Sequence, residues 1–453
     1  MVDNAAVKLT RTERAVAAAF ATGAQLDLRT SAAREVSGKA LRFILLGGAK
    51  TAGPGQLAAL HLTGAHITDG LELDFADLGP ITLERCTVDG PVMLFGARLR
   101  RVSLLASRLT VLNAGNAVVE GSVALVGSTF EGLVSLGGAT VGGSVLLSGA
   151  VLAAPGISLD ASSLRVRRDF IAEDGFTSHA AIRLDRSEIG GVLSLAGATL
   201  HGSGAALTRE SRAAADVASG GFDEQVWGSA VSLSVRNLRV RELALLPLRR
   251  PGGLIDLRHA RVGMLRDDPR TWPPGLRLDG LSYESLAADE ACSTRLAWLR
   301  LEHDFRPQPY AQLARYYRDG GRDDEARTVL LAGERRRRGR LSHPGRWWGW
   351  LQDATVGYGY RPMRAAGWLV LLFVVGTVVF SLNPPRAVEP GKAPVLLEPV
   401  YTLDVILPAV DLGQQSAYRP AGATVWLAYA LQAAGLVLTS TVAAAATRQL
   451  RRT

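Results

Sequence analysis

Apolar residues in the first 285 positions recur in pairs two residues apart, and the pairs themselves return about every 11 residues. The pattern is clearest in GSVALVGSTFE (121–131), GLVSLGGATVG (132–142), GSVLLSGAVL (143–152) and GVLSLAGATLH (191–201), which share the form G-x-h-x-L-x-G-A-x-h-x, with h aliphatic. Strong apolar positions alternate five and six residues apart, as at Phe130, Leu136, Val141, Leu147 and Leu152, and each has a small or aliphatic residue two places before it. Residues i and i−2 share one face of a strand but lie on opposite sides of a helix, so each unit is a pair of short strands. Four such strands close a coil of about 22 residues, in a pattern that resembles the pentapeptide repeat with an extra residue in every second strand.

The expected fold is therefore mainly β: a parallel β-helix over 51–286, about ten coils long, filled by stacked Leu, Val and Ala. Glycines at the unit boundaries are expected to make corners that a Cβ would obstruct. The steps are irregular near 111–118, and GSGAALTRESRAAADVASGGFDEQ (202–225) reads as a looped excursion.

Both ends of such a coil expose strand edges that need covering. Residues 1–50 supply a helical cap, opened by the capping box Thr10-x-x-Glu13 and closed by a second helix that stops at Gly47. Residues 287–345 supply another cap: Pro309 starts a helix with Tyr310, Leu313, Ala314 and Tyr317 on one face, Gly320-Gly321 ends it, and Asp323 starts a second helix with Ala326, Val329 and Leu330 inward. The pair looks like one tetratricopeptide-type unit followed by a basic segment.

In 346–453 the pattern changes from periodic to continuous. Ala365–Leu382 and Thr424–Ala446 are uncharged runs of spanning length, so two transmembrane helices near 365–382 and 424–446 are expected. Arg335 to Arg338, Arg340, Arg346, Arg361 and Arg364 precede the first, and Arg448, Arg451 and Arg452 follow the second. The loop between them holds only Arg386, Lys392 and Arg419, which predicts a plasma-membrane protein with both termini cytoplasmic. Asp3 and Glu13 without an apolar stretch argue against a secretory signal, so the β-helix is expected in the cytoplasm.

Composition adds little to this. Only four of the 51 Lys and Arg residues are lysine, so the basic balance of +9 reflects an arginine-rich code as much as an anionic partner. The two cysteines, Cys86 and Cys292, have no metal-type spacing and fit a reducing compartment.

One short string tempts a different reading. TVGYG (355–359) is the signature of a potassium-channel filter, but it follows the charged stretch ERRRRGRLSHPGRWWGWLQDA, which cannot span a bilayer. It reads instead as a juxtamembrane turn, with Trp347, Trp348, Trp350, Tyr358 and Tyr360 as an aromatic belt. Arg335, Arg336, Arg337, Arg338, Arg340 and Arg346, with the three tryptophans, are the candidates to contact anionic lipid headgroups.

Taken together, the 11-residue units, RLDGLSYESL (277–286), QPYAQLARYYRDGGRDDEAR (308–327), VGYGYRPMRAAGWL (356–369) and VYTLDVILPAVDLG (400–413) resemble an actinobacterial family of cytoplasmic β-helix proteins with two C-terminal membrane spans. Members are often labelled membrane-associated oxidoreductase. The resemblance implies the architecture and membrane association, and it places no catalytic motif on these residues.

No dinucleotide-binding, phosphate-loop or C-x-x-C motif occurs, so no cofactor is expected. The seven histidines, His61, His66, His179, His201, His259, His303 and His343, are dispersed and suggest no metal site. Cys86 falls in an interior slot, as a buried inert thiol. Asp160 and Asp185 each follow the second apolar residue of a unit and are expected on adjacent coils, about 5 Å apart, where a carboxylate pair could share a proton. Asp74, Glu84 and Asp279 occupy the same outward slot, which favours a solvated face. Asp404 and Asp411 sit in the apolar loop between the spans, either ringing a pore or lying in water beside a surface turn, with Tyr401 and Leu403 in the headgroups.

Three function classes follow: a membrane-tethered scaffold with a protein partner on its β-helix faces, an enzyme as the family label suggests, and an oligomeric two-span pore. The scaffold is the expected one. A homo-oligomer stays open, and nucleic-acid binding by ERRRRGR is not expected, since that run lies close to a membrane span.

Overall fold

The computed structural model describes residues 8–48, 57–202, 231–338, 362–389, 393–407 and 411–450. The chain divides into two units, Met1–Gly321 and Arg322–Thr453.

The first unit is a parallel β-solenoid. One coil shows its plan: Ile81–Glu84 forms the first wall, Thr87–Val88 the second, Val92–Met93 the third and Arg98–Leu99 the fourth, and Val102–Leu105 then begins the next coil directly above Ile81–Glu84. Among the described residues the third wall has nine strands and the second has eight. About nine coils therefore stack, close to the expected ten. The first and fourth walls belong to a single sheet, because Glu188–Ser194, Arg239–Leu245 and Arg261–Asp267 run through the corner between them without a break.

Inward positions on the first wall stack Ile81, Val102, Val123, Val145, Phe170 and Leu193, all buried. Leu136 and Val134 point inward on the third wall and Ser135 between them points out, as the two-residue periodicity requires. The stretch that looked irregular, 111–118, keeps the ladder: Leu112 pairs with both Val92 and Val134. Its small interior residue is Ala114, which hides the doublet from a search for aliphatic pairs.

Glycine serves two purposes here. The second glycine of the unit makes the corner, as at Gly138, whose φ is +69°. The unit-opening glycine instead permits close approach of coils: a Cβ on Gly121 would lie 2.8 Å from the Arg100 carbonyl oxygen. Corners on neighbouring coils use Asn116 and Ser163 in the same left-handed conformation, so the repeat tolerates a polar residue there.

The N-terminal cap forms as its sequence requires. α1 (Arg11–Thr22) opens with the Thr10–Glu13 capping box, and α2 (Gly38–Phe43) runs into a turn ended by Gly47 at φ 89°. Two short strands from this cap, Leu26–Asp27 and Glu35–Ser37, also pair with the first full coil, so the cap begins the solenoid as well as covering it.

At the other end, α3 (Cys292–Arg300) and α4 (Pro307–Asp319) close the stack. α3 had no sequence expectation, and it carries the buried Arg295, whose guanidinium donates to both Asp267 carboxylate oxygens at 2.9 and 2.8 Å. Trp272 Nε1 donates to the same carboxylate at 2.8 Å. On α4, Gln308 and Gln312 donate to the Leu281 and Tyr283 carbonyls at 2.9 and 2.8 Å, satisfying acceptors on the last strand edge.

In the second unit, α5 (Asp323–Arg338) buries Ala326, Val329 and Leu331; the inward leucine is Leu331 and not Leu330. α6 (Pro362–Leu382), α7 (Glu398–Ile406) and α8 (Thr424–Leu450) pack on one another around Phe380, Tyr401, Val405, Ile406 and Leu431. Close approach is allowed by Gly376 beside Thr402 and Gly435 beside the Ile406 carbonyl. α6 and α8 overlap the two expected spans, but among the described residues no helix is long and apolar enough to cross a membrane.

Candidate functional site

The solenoid turns repeated sequence positions into columns, so the chemistry of each wall follows from which side chains share a column. On the third wall one outward column runs Ser135, Asp160, Arg183, Ser234, Asp256 and Arg277. Asp160 thus faces Arg183 and not Asp185. The one-coil match between Ile157-x-Leu159-Asp160 and Ile182-x-Leu184-Asp185 fails because the register shifts between Ile157 and Leu159, which aligns Leu159 with Ile182. The shift of two residues keeps both aspartates outward but puts them in different columns.

Neither aspartate is solvated. Asp160 is 2% exposed and Asp185 is fully buried. Asp160 accepts from the backbone N–H and hydroxyl of Ser162 at 3.0 and 2.6 Å. Asp185 accepts from the Ser234 hydroxyl at 2.5 Å, from Arg236 Nη2 at 2.8 Å and from Arg183 Nε at 3.3 Å. Burial pushes its pKa up, but the Arg236 guanidinium, Ser234 and Arg183 outweigh that and hold the carboxyl below the usual range. One coil group further on, Asp256 is also buried and accepts from Arg258 Nη2 at 2.8 Å and Nε at 3.0 Å. These carboxylates are already hydrogen-bonded to their own chain, which is a structural arrangement rather than a proton-sharing pair.

The fourth wall is built on the same plan with the opposite outcome. Its outward columns run Thr140, Arg165, Glu188, Arg239, Arg261 and Ser282, and, two residues along each strand, Gly142, Arg167, Gly190, Arg241, Gly263 and Glu284. The residue between each pair is buried, as at Val166, Ile189, Val240 and Val262. Here the charged side chains are exposed. Together with α4 they line a groove of 1230 Å³. Arg239 pairs with Glu188 at 3.2 Å, and Arg241 Nη2 donates to the Gly190 carbonyl at 3.2 Å.

A smaller cavity of 460 Å³ at the last coil brings together His259 and His303 with Arg258, Arg277 and Arg306. On the second wall His179 and His201 stack on adjacent coils with ring centroids 5.3 Å apart. Histidines that are dispersed in sequence thus meet in space, yet among the described residues no group of three or more His, Cys, Asp or Glu is placed to hold a metal ion. Cys86 is buried in the interior, and its N–H donates to the Ser107 hydroxyl oxygen at 3.0 Å, in a ladder continued by the Ser107 N–H, which donates to the Ser128 hydroxyl oxygen. Burial pushes its thiol pKa up, which leaves it protonated and unreactive.

Among the lipid-contact candidates, Arg335, Arg336, Arg337 and Arg338 form the last turn of α5, where Arg337 pairs with Glu334 at 3.5 Å. Arg340, Arg346, Trp347, Trp348 and Trp350, with the TVGYG string, lie outside the described residues. On α7, Asp404 is 2% exposed and accepts backbone N–H bonds from Leu412, Gln414 and Gln415, in the connection to α8, at 2.8, 2.9 and 2.7 Å. It is neither in water nor free to line a pore. Tyr401, expected at headgroup level, is buried edge-on against Phe380 with centroids 5.0 Å apart. Asp411 is exposed and accepts from the Gly413 N–H.

Compared with models of protein families, with curated proteins and with solved structures, the chain matches none of them.

The groove arginines had no place in the sequence expectations. Their signal was the tripeptide Arg-Val-Arg at both 165–167 and 239–241, where an outward, inward, outward pattern on one strand repeats in the same wall.

Proposed function

We propose that the chain is a membrane-tethered scaffold whose solenoid offers a rigid wall to a protein partner. The observation that carries this reading is the fourth wall: a ladder of exposed, evenly spaced charged side chains on a backbone fixed by parallel pairing from coil to coil. A rigid surface loses little freedom on binding, which is what a docking platform needs.

Tethering is supported by the uncharged runs 365–382 and 424–446, by the arginine asymmetry around them, and by the resemblance to the membrane-associated actinobacterial family. The exposure of Trp368, Val370, Val374 and Val378 on α6 and of Trp426, Leu436 and Val437 on α8 points the same way, since water is a poor solvent for such a surface. Arg335 to Arg338 would add attraction to anionic headgroups, at about 1 kcal/mol per basic residue near the surface.

Two measurements test the two halves. Membrane fractions washed with high salt and with carbonate should retain the full chain; release by either wash removes the tether from the proposal. Proximity labelling in the native host, with the label fused to the N-terminus, should then return a reproducible protein partner, and a background identical to that of a free label would remove the scaffold.

A further inference from the structure

The fourth-wall groove carries six arginines, Arg165, Arg167, Arg239, Arg241, Arg261 and Arg315, against the three carboxylates Glu188, Glu284 and Asp319. Two of those carboxylates are engaged, Glu188 with Arg239 and Asp319 with Arg315 at 3.5 Å. Arg165, Arg167 and Arg261 make no ion pair or side-chain hydrogen bond among the described residues. Nothing in the fold requires this charge. Every inward residue of these strands packs whether its outward neighbours are arginine, as at 165–167, or glutamate and glycine, as at 188–190.

The spacing is informative. Arg165 and Arg167, like Arg239 and Arg241, stand two residues apart on one strand, which is about 6.6 Å. Alternate side chains of any extended peptide have that same separation. The floor between the pairs is flat, because Gly190 separates the Arg167 and Arg241 rungs, and a Cβ there would lie 2.3 Å from the Arg167 carbonyl oxygen. At 1230 Å³ the groove exceeds the range of about 300–1,000 Å³ typical of small-molecule sites. α4 forms one wall and brings Tyr316, half-buried against Tyr283 with ring centroids 6.1 Å apart, the side-chain type enriched at protein interfaces.

We infer that the groove binds an extended acidic segment of a partner protein, lying along the strand direction with carboxylates at alternate positions meeting the Arg165/Arg167 pair or the Arg239/Arg241 pair. Guanidinium and carboxylate match in a planar, two-bond geometry, so each pair selects position as well as charge. A peptide suits this groove better than a nucleic acid does. Glu188 sits between the Arg165 and Arg239 rungs, where a run of phosphates long enough to cross from one arginine pair to the other would meet it, whereas a short peptide lying along one rung does not. The inference rests on the scaffold reading and gives its partner a chemistry.

The test uses the full chain in mild detergent and a fluorescent ten-residue peptide of alternating Glu and Thr. It should bind in a salt-sensitive manner, and the same peptide with Gln for Glu should not. The double variant Arg165→Ala, Arg239→Ala should raise the Kd by about tenfold or more at an unchanged melting temperature, while Arg108→Ala on the second wall should leave it unaltered. Equal affinity of the double variant for the peptide overturns the inference. So does a ten-nucleotide single strand that binds more tightly than the peptide and is lost in the same variant, which would make the groove a nucleic-acid surface. Proximity labelling with the double variant separates the two levels: partners retained by it sink the groove and leave the scaffold, and no partners even with the wild type sinks the scaffold itself.

Discussion

The third and fourth walls of the solenoid come from one repeat, share their coils, and place two outward residues per strand in the same way. On the third wall Asp160, Arg183, Ser234 and Asp256 are buried, and Asp185 is fully buried with Arg183 and Ser234 beside it. On the fourth wall the outward charged residues are exposed, and Arg165, Arg167 and Arg261 face solvent. The backbone therefore does not decide what a wall is for. Burial does, because the same carboxylate-guanidinium contact is structural when desolvated and nearly costless to remove when wet.

This difference can be broken most strongly at Asp185. Asp185→Ala leaves Arg183 and Arg236 facing a void in a desolvated column and should cost about 3–5 kcal/mol in chemical unfolding. The matched change on the fourth wall, Glu188→Ala, removes an exposed pair and should cost less than about 1 kcal/mol. Similar losses for the two would show that the walls are not energetically distinct.

Acid should expose the same asymmetry, with a smaller effect. Because the folded chain holds Asp185 below the usual carboxylate range, its contribution is complete above the unfolded value of about 4 and drains away as the pH falls through the lower folded value. Unfolding free energy measured from neutral pH downward should therefore decline at low pH in the wild type and decline less in Asp185→Asn. Parallel curves would remove Asp185 as a source of acid sensitivity.

The solenoid was legible in the sequence because its interior is a two-residue alternation that repeats with one period, and Leu136, Val141 and Leu147 can be assigned inward by counting. The third-wall register was not, since a single irregularity at Ile157/Leu159 moves Asp185 out of the Asp160 column, and nothing local in the sequence marks a bulge. Burial of Asp404 was illegible for a related reason: its three N–H donors come from residues 8 to 11 positions later, in a loop whose path no periodicity describes. The groove was half legible. Two Arg-Val-Arg strings announce an outward basic pair on each strand, but only the pairing of 188–194 with both neighbours shows that they share one wall.

The corner that joins the two walls should respond at an intermediate level. Gly138 has φ +69°, and a Cβ there would lie 2.2 Å from Asn116 Oδ1 on the coil below. Gly138→Ala should cost about 1–2 kcal/mol through the left-handed conformation alone. Ser163→Gly, at the same corner one coil on with φ 58°, should be neutral or stabilising in thermal unfolding. A cost for both would mean that the corner is held by the side chain and not by its backbone geometry.

The smallest effect gives the finest comparison, because it puts one new carboxylate on each wall of one coil. Ser135 faces Asp160 across the third-wall ladder, so Ser135→Asp sets two carboxylates about 4.8 Å apart beside a buried group and should destabilise. Thr140 faces Arg165 across the fourth-wall ladder, and Arg165 has an exposed guanidinium with no ion pair among the described residues. Thr140→Asp should therefore stabilise, by about 0.2–1 kcal/mol, in the range of opposite charges placed directly across neighbouring strands. Salt discriminates the mechanisms further. At 1 M ionic strength the screening length falls to about 3 Å, so the gain at Thr140 should vanish while the loss at Ser135, set in part by a desolvated neighbour, should persist. Chemical unfolding in urea at low and high salt reads both variants. Shifts of the same sign would mean that the two walls present the same electrostatic surface, and with that the argument for an acidic partner on the fourth wall would lose its footing.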